Sequence, residues 1–270
     1  MTTPPALVLR VHNVRLRLGV HQVLDGIDFD IVNRLRPGIE TGQVVGLLGP
    51  SGVGKTQLLR ILAGLRAPDE GTVLGPDGHP FRAGSVGVVF QNYPLLAHHT
   101  VKGNLLVAAA AVGMTSAKAL ERVNQLLTHF RLEERADFYP AQLSGGQRQR
   151  VAIAQQLVNP TTLLLMDEPF SGLDPAATEL VQRLVTDVAN IDDLNTVVLV
   201  THDIRAAMAV SDTLVLIGRD RDPAGKIVSG AKVKDTYDLV AAGLMWQENI
   251  GALPEFAAME REIRGRFAAL

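Results

Sequence analysis

Val44-Val45-Gly46-Leu47-Leu48, followed by Gly49-Pro50-Ser51-Gly52-Val53-Gly54-Lys55-Thr56, is the stretch on which the fold turns. The first five residues are almost continuously apolar, as a strand must be when both faces of a parallel sheet are covered. The next eight match G-x-x-x-x-G-K-[ST], and the run Leu58-Leu59-Arg60-Ile61-Leu62 that follows reads as a helix. In that context the glycines let successive backbone N–H groups turn inward, forming an anion nest at a helix N-terminus. Lys55 then neutralises the β- and γ-phosphates of a nucleotide, and the Thr56 hydroxyl serves Mg²⁺. An ordinary Gly-rich turn is the alternative, and the flanking strand weighs against it.

Two further apolar runs, Leu163-Leu164-Leu165-Met166 and Val197-Val198-Leu199-Val200, also stop at polar clusters. In an open α/β sheet the ligand site lies beyond the carboxyl ends of such strands, so the three clusters should converge. Asp167 and Glu168 form the second cluster. Two carboxylates at the end of a buried strand are costly unless they meet a cation or a reacting water. Asp167 suits a Mg²⁺ partner and Glu168 a base or positioner for the attacking water. Two solvated carboxylates opening a turn before Pro169 satisfy the same pattern. The third cluster is Thr201-His202-Asp203, where His202 either donates to a γ-phosphate or is simply a structural histidine at a strand end.

Hydrophobic residues make up 47% of the 270 and charged residues 20%, the balance of a folded globular chain. A formal net charge of -2 leaves no global basic field for nonspecific nucleic-acid binding. The absence of cysteine excludes a disulfide framework, a thiolate nucleophile and a Cys-ligated metal, and fits the cytoplasm. Met1-Thr2-Thr3-Pro4-Pro5 lacks the pattern of an export signal. The greasy residues 105–114 fall short of the roughly 20 needed to cross a bilayer, so action at a membrane would be peripheral. Leu7–Val11 and Val14–Leu18 alternate as antiparallel strands do, as does Ile27–Ile31, which predicts a small β-layer. Residues 33–42 read as a hairpin loop, 100–135 as an Ala/Leu-rich helical insertion, 213–217 as a strand, 219–225 as a polar turn and 254–267 as an amphipathic helix.

Leu143-Ser144-Gly145-Gly146-Gln147 resembles the signature that separates ABC ATPases from other P-loop NTPases. Gln91, in Val89-Phe90-Gln91-Asn92, resembles the Q-loop, and Ser171-Gly172-Leu173-Asp174 resembles the D-loop, so six motifs stand in the family's order. The resemblance covers roughly residues 7–217. It implies an α/β P-loop NTPase core with an N-terminal antiparallel β-layer over 1–91 and 145–222. A helical signature subdomain is inserted over 92–144, and 223–270 form a C-terminal tail. ATP and Mg²⁺ are the implied ligands, with Glu168, His202, Lys55 and Gln91 acting in hydrolysis and Thr56, Gln91 and Asp167 at the metal. Leu18, Gln57 and Asp174 join the loop Gly49, Pro50, Ser51, Gly52, Val53, Gly54, Lys55 and Thr56 around the nucleotide. The family also implies an ATP-dependent head-to-tail dimer of two copies, in which Ser144, Gly145, Gly146 and Gln147 of one copy close on ATP held by the other. A transmembrane permease is the implied partner, with a solute-binding protein as a further one. The chain would then lie in the cytoplasm, peripheral on the inner face of the membrane. Ser144, Gly145 and Gly146 open an apparent helix at 147–159 and could offer a hydroxyl and N–H groups to an arriving phosphate, although a plain Ser-capped helix start looks the same.

The sequence departs from the family at Leu18, where an aromatic ring often stacks on adenine. The phosphates and Mg²⁺ would then dominate affinity, with His21 in the neighbouring turn the next candidate to cover the base. Gln57 replaces a second hydroxyl residue, and Gln155 stands where an arginine often follows the signature. Phe90–Leu96 and Thr100–Asn104 resemble prokaryotic importer subunits, their apolar residues suiting a groove for a partner's coupling helix. Residues 254–267 resemble the tail of nitrate, sulfonate and taurine importer subunits. The rival reading is a non-transport ABC ATPase acting on nucleic acid, which the missing coiled-coil insertion and basic surplus disfavour. A nucleotide kinase would leave residues 143–147 unexplained.

Overall fold

The computed structural model describes residues 6–33, 42–159, 161–189, 196–244, 250–268 and 270. The hairpin loop expected at 33–42 lies largely outside the described residues. In chain order the first elements are β1 (Leu7–Leu18), β2 (His21–Val32), β3 (Gln43–Leu48), α1 (Lys55–Leu62), β4 (Glu70–Leu74) and β5 (Gly87–Val89). Helices α2 (Val101–Ala111), α3 (Ser116–His129) and α4 (Gly145–Gln156) follow. The chain continues through β6 (Leu163–Asp167), α5 (Pro175–Ala189), β7 (Thr196–Thr201), α6 (Ile204–Val210), β8 (Thr213–Arg221), β9 (Ile227–Asp238) and α7 (Pro254–Ala268). No helix among the described residues is long and apolar enough to cross a membrane.

Alternation along the apolar strands assigns each side chain to a face. In β3, Val44 and Leu48 join one core cluster while Val45 and Leu47 join the other. The same division separates Leu164 and Met166 from Leu163 and Leu165 in β6, and Val197 and Leu199 from Val198 and Val200 in β7. One face packs under residues of α2 to α7, the other against α1 and the curled strands β1 and β2. Covering both faces is why these strands carry no polar alternation.

The nine strands among the described residues form one sheet in the order β4-β1-β2-β9-β8-β3-β7-β6-β5. Strands β8, β3, β7, β6 and β5 run parallel, and β4-β1-β2 is the antiparallel layer. The two parts are continuous through β9, which is antiparallel to β8 and pairs in parallel with β2 at Ala231 and Leu24. β9 falls in the segment expected as a C-terminal tail, and the polar turn expected at 219–225 is shorter because β8 runs on to Arg221.

The two N-terminal runs make a single strand. The register against β2 shifts between Val11 and Val14, and Asn13, at φ 46°, takes up the extra residue. Asparagine tolerates that left-handed conformation, and the Asp28 carboxylate accepts the Asn13 N–H at 2.8 Å, which fixes the bulge. Helix α4 begins two residues before the expected Gln147. Ser144 is its N-cap, accepting the Gln147 N–H at 3.3 Å while Gln147 Oε1 accepts the Ser144 N–H at 2.9 Å.

Candidate functional site

Between β3 and α1 the backbone takes conformations that only glycine adopts easily. Gly52 has φ 76° and Gly54, the N-cap of α1, φ 119°. At Gly49 the constraint is contact, since a Cβ there would lie 2.4 Å from the Ile217 carbonyl oxygen. The N–H groups of Gly52, Gly54, Lys55 and Thr56 have no hydrogen-bond partner among the described residues, so the loop offers unspent donors at a helix N-terminus.

Lys55 is buried, and its Nζ donates to the Gly49 and Pro50 carbonyls at 2.8 and 3.1 Å. It also lies 3.4 Å from Glu168 Oε1. Burial lowers its pKa, and Glu168 opposes that shift. Thr56 Oγ1 donates to Asp167 Oδ1 at 3.1 Å. Glu168 occupies the left-handed region at φ 49°, a strained place for a side chain with a Cβ, held by its N–H bond to the Val200 carbonyl at 2.8 Å. Its Oε2 accepts from Thr201 Oγ1 at 3.1 Å and sits 2.9 Å from His202 Nδ1. The ends of β3, β6 and β7 therefore bring the three expected clusters together.

Burial raises the pKa of Asp167, with the Thr56 hydrogen bond pulling the other way. The folded chain thus holds the Asp167 proton more tightly than the unfolded chain. Stability falls as pH rises from the ordinary carboxylate range through the raised pKa, and the loss is complete above it. Asp167→Asn removes this penalty and keeps an oxygen for Thr56. In the absence of divalent cation and nucleotide, the variant should melt at or above the wild-type temperature at pH 7. The gap should close below about pH 4. Calorimetric melting at both pH values checks this, and a variant less stable at pH 7 would contradict it.

Of these groups Gly52, Gly54, Lys55, Thr56, Glu168 and His202 line a cleft of about 500 Å³ along the strand ends, whereas Gly49, Pro50, Val53, Asp167 and Thr201 lie behind its lining. Gln91, Glu168, Ser171 and His202 line it on the β6–β7 flank of the loop, and Gln91 Nε2 donates to Ser171 Oγ at 3.1 Å. Ser51, Gly52, Gly54, Lys55, Thr56 and Gln57 form its floor, with Gln57 Oε1 also accepting from Arg66 at 3.2 Å. Leu18, Val23 and Arg219 line it on the β8–β9–β2–β1 flank. His21 does not line the cleft.

Ser144, Gly145, Gly146 and Gln147 do not line it either. The first three are exposed, and a Cβ on either glycine would meet nothing within 4 Å. Nothing in the chain itself requires two glycines in that helical turn, where alanine would favour the helix by about 0.5–1 kcal/mol per position. Asp174 also lies outside the cleft lining and caps α5, its Oδ1 accepting the Ala177 N–H at 2.8 Å. Sequence reading missed Val23 and Arg219, and named Ser171 only as part of the D-loop resemblance. Arg219 was hidden because the polar run of 219–222 masks the end of β8, although its Nη2 reaches back to the Gly52 carbonyl at 3.0 Å. Tyr93 Oη and Gln149 Nε2 both donate to the Pro169 carbonyl, at 3.4 and 3.3 Å, tying the turn after β5 and helix α4 to the turn after Glu168.

Comparison with known proteins gives a consistent picture. Residues 32–171 match the family described as ABC transporter. The chain is 40% identical over 220 residues to a sulfate/thiosulfate import ATP-binding protein of Pseudomonas putida, covering 78% of this chain and 64% of that one. It is 38% identical to a probable sulfate/thiosulfate import ATP-binding protein of Chlorella vulgaris, over 84% of this chain and 92% of that one. A spermidine/putrescine import ATP-binding protein of Thermotoga maritima is also 38% identical, over 78% of this chain and 57% of that one. The chain thus spans less than two thirds of the length of the Pseudomonas and Thermotoga relatives. Among solved structures, CbiO1 of Clostridium perfringens, part of the ABC transporter complex cbiONQ, superposes with a TM-score of 0.72 at 25% identity, over 94% of this chain and 99% of that one.

Proposed function

We propose, from the premise that this chain belongs to the ABC transporter family, that it binds and hydrolyses ATP to drive a membrane importer as a dimer docked on separate membrane-spanning subunits. One observation carries the reading. The unspent N–H groups of the 49–56 loop, the buried Lys55 and the Glu168–His202 pair meet in one cleft.

The loop N–H groups and Lys55 take the β- and γ-phosphates, and Lys55 moves from the Gly49 and Pro50 carbonyls to phosphate oxygens. Thr56 and Asp167 are hard oxygen donors in contact with each other, and burial raises the Asp167 pKa against the pull of Thr56, Lys55 and Arg60, so together they would fit and hold Mg²⁺. When bound, that ion would neutralise charge on the phosphates, with Gln91, exposed at the cleft, as a further residue that would help to hold it. Glu168 takes a proton from the attacking water as the new oxygen–γ-phosphorus bond forms and ADP leaves with the bridging oxygen. Thr201 and His202 hold the carboxylate in place, and His202 donates to the γ-phosphate.

Ser144 and the N–H groups of Gly145 and Gly146 reach the γ-phosphate bound to a second copy, with Gln147 bracing the turn through its bonds to Ser144. Their exposure and the absent side chains at both glycines support this, because a backbone can then approach a phosphate closely. Residues 92–144 serve as the arm that carries this loop, and Asp174 at the start of α5 lies at the same dimer contact. The named relatives import an oxyanion and a polycation at similar identity to this chain. Such opposite chemistry supports a division of labour in which the permease, with a solute-binding protein, selects the cargo. Phosphate release from ATP by the purified chain tests the reading. Turnover should require Mg²⁺ and vanish in Lys55→Ala, and Mg²⁺-independent turnover or an active Lys55→Ala would overturn it.

A further inference from the structure

We propose that Arg219 is a nucleotide-binding residue that covers the base of ATP with its guanidinium plane, in the place where Leu18 offers no ring; the inference rests on the ATP-binding reading above. Arg219 is a half-buried cation on the cleft wall. Among the described residues its guanidinium makes one hydrogen bond, from Nη2 to the Gly52 carbonyl, and its buried Nε has no partner. The adjacent carboxylate is spoken for, since Asp220 binds Lys232 at 3.0 Å and Lys234 on its other oxygen. An un-neutralised guanidinium facing a cleft calls for a ligand with either negative charge or a π-face.

Topology decides between the two. The γ-phosphate groups, Glu168 and His202, follow β6 and β7 on one side of β3, whereas Arg219 belongs to β8 on the opposite side. A nucleotide with its phosphates in the 49–56 loop and its γ-phosphate toward Glu168 must direct its base toward Leu18, Val23 and Arg219. The first two supply aliphatic walls, and the third a planar cation tethered at Nη2 by the Gly52 bond. Guanidinium stacking on a heteroaromatic ring suits that setting, and it favours no particular purine.

Calorimetric titration of the intact chain with Mg-ATP and with Mg-tripolyphosphate, which has no base, tests the assignment. Arg219→Ala should weaken ATP about tenfold and leave tripolyphosphate within about twofold. Arg219→Lys keeps the charge but not the plane, and should retain most of the loss. Adding Leu18→Trp to Arg219→Ala should restore ATP affinity, which a residue serving only to brace the loop would not allow. Unchanged ATP affinity, equal losses for both ligands, a wild-type Lys variant or a failed rescue would each overturn the proposal. Wild-type chain that binds tripolyphosphate but discriminates against ATP would count against the ATP reading instead.

Discussion

Glu168→Gln should lower ATP turnover at least about a hundredfold while leaving the dissociation constant for Mg-ATP within about twofold. The amide matches the carboxylate in shape, so the Thr201 hydroxyl keeps an oxygen to donate to and the turn after β6 keeps its strained φ of 49°. What disappears is the charge that draws a proton from water. Binding is spared because the carboxylate sits 3.4 Å from Lys55 and competes with phosphate for that ammonium. Phosphate release and nucleotide titration on the same preparation separate the two effects. A variant that keeps wild-type turnover would remove Glu168 from the chemistry, and one that no longer binds ATP would make it a structural residue.

Ser144→Arg should reduce turnover by about a hundredfold with the affinity of the single chain for ATP unaltered. The argument is spatial. Ser144 caps α4 and is absent from the cleft of its own chain, so a change there cannot disturb the phosphates this chain holds. It can disturb only those held by a second copy, where a bulky side chain blocks approach. Loss of the cap weakens α4 as well, by about 1 kcal/mol, so Ser144→Ala is the control and should retain far more activity than the arginine variant if closure on a partner is what matters. Equal activity in wild type and Ser144→Arg would place the signature outside the reaction.

The strand-end clusters were legible because β3, β6 and β7 are buried on both faces, which writes itself as apolar runs ending abruptly at Gly49, Asp167 and Thr201. The loop was legible for the same reason, with the glycine positions set by φ at Gly52 and Gly54 and by contact at Gly49. Other features left no such trace. β9 starts with exposed Ile227 and Val228, so its alternation does not announce a strand inside the sheet. The bulge at Asn13 splits one strand into two apparent ones. Arg219 acts through a bond to a residue 167 positions away, a pairing that only the neighbouring positions of β8 and β3 bring about. Gly145 and Gly146 were legible only through a family likeness, because a Cβ at either would meet nothing within 4 Å and no contact among the described residues calls for glycine there.

Whether ATP joins two copies of this chain is settled most directly by light scattering on Glu168→Gln, which should hold ATP without consuming it. Mg-ATP should double the mass from the 29.0 kDa of one chain, and Mg-ADP, which lacks the γ-phosphate that Lys55 of one copy and Ser144 of the other would share, should return it to one chain. A mass that stays the same with both nucleotides, in a protein that binds both, would contradict the shared site.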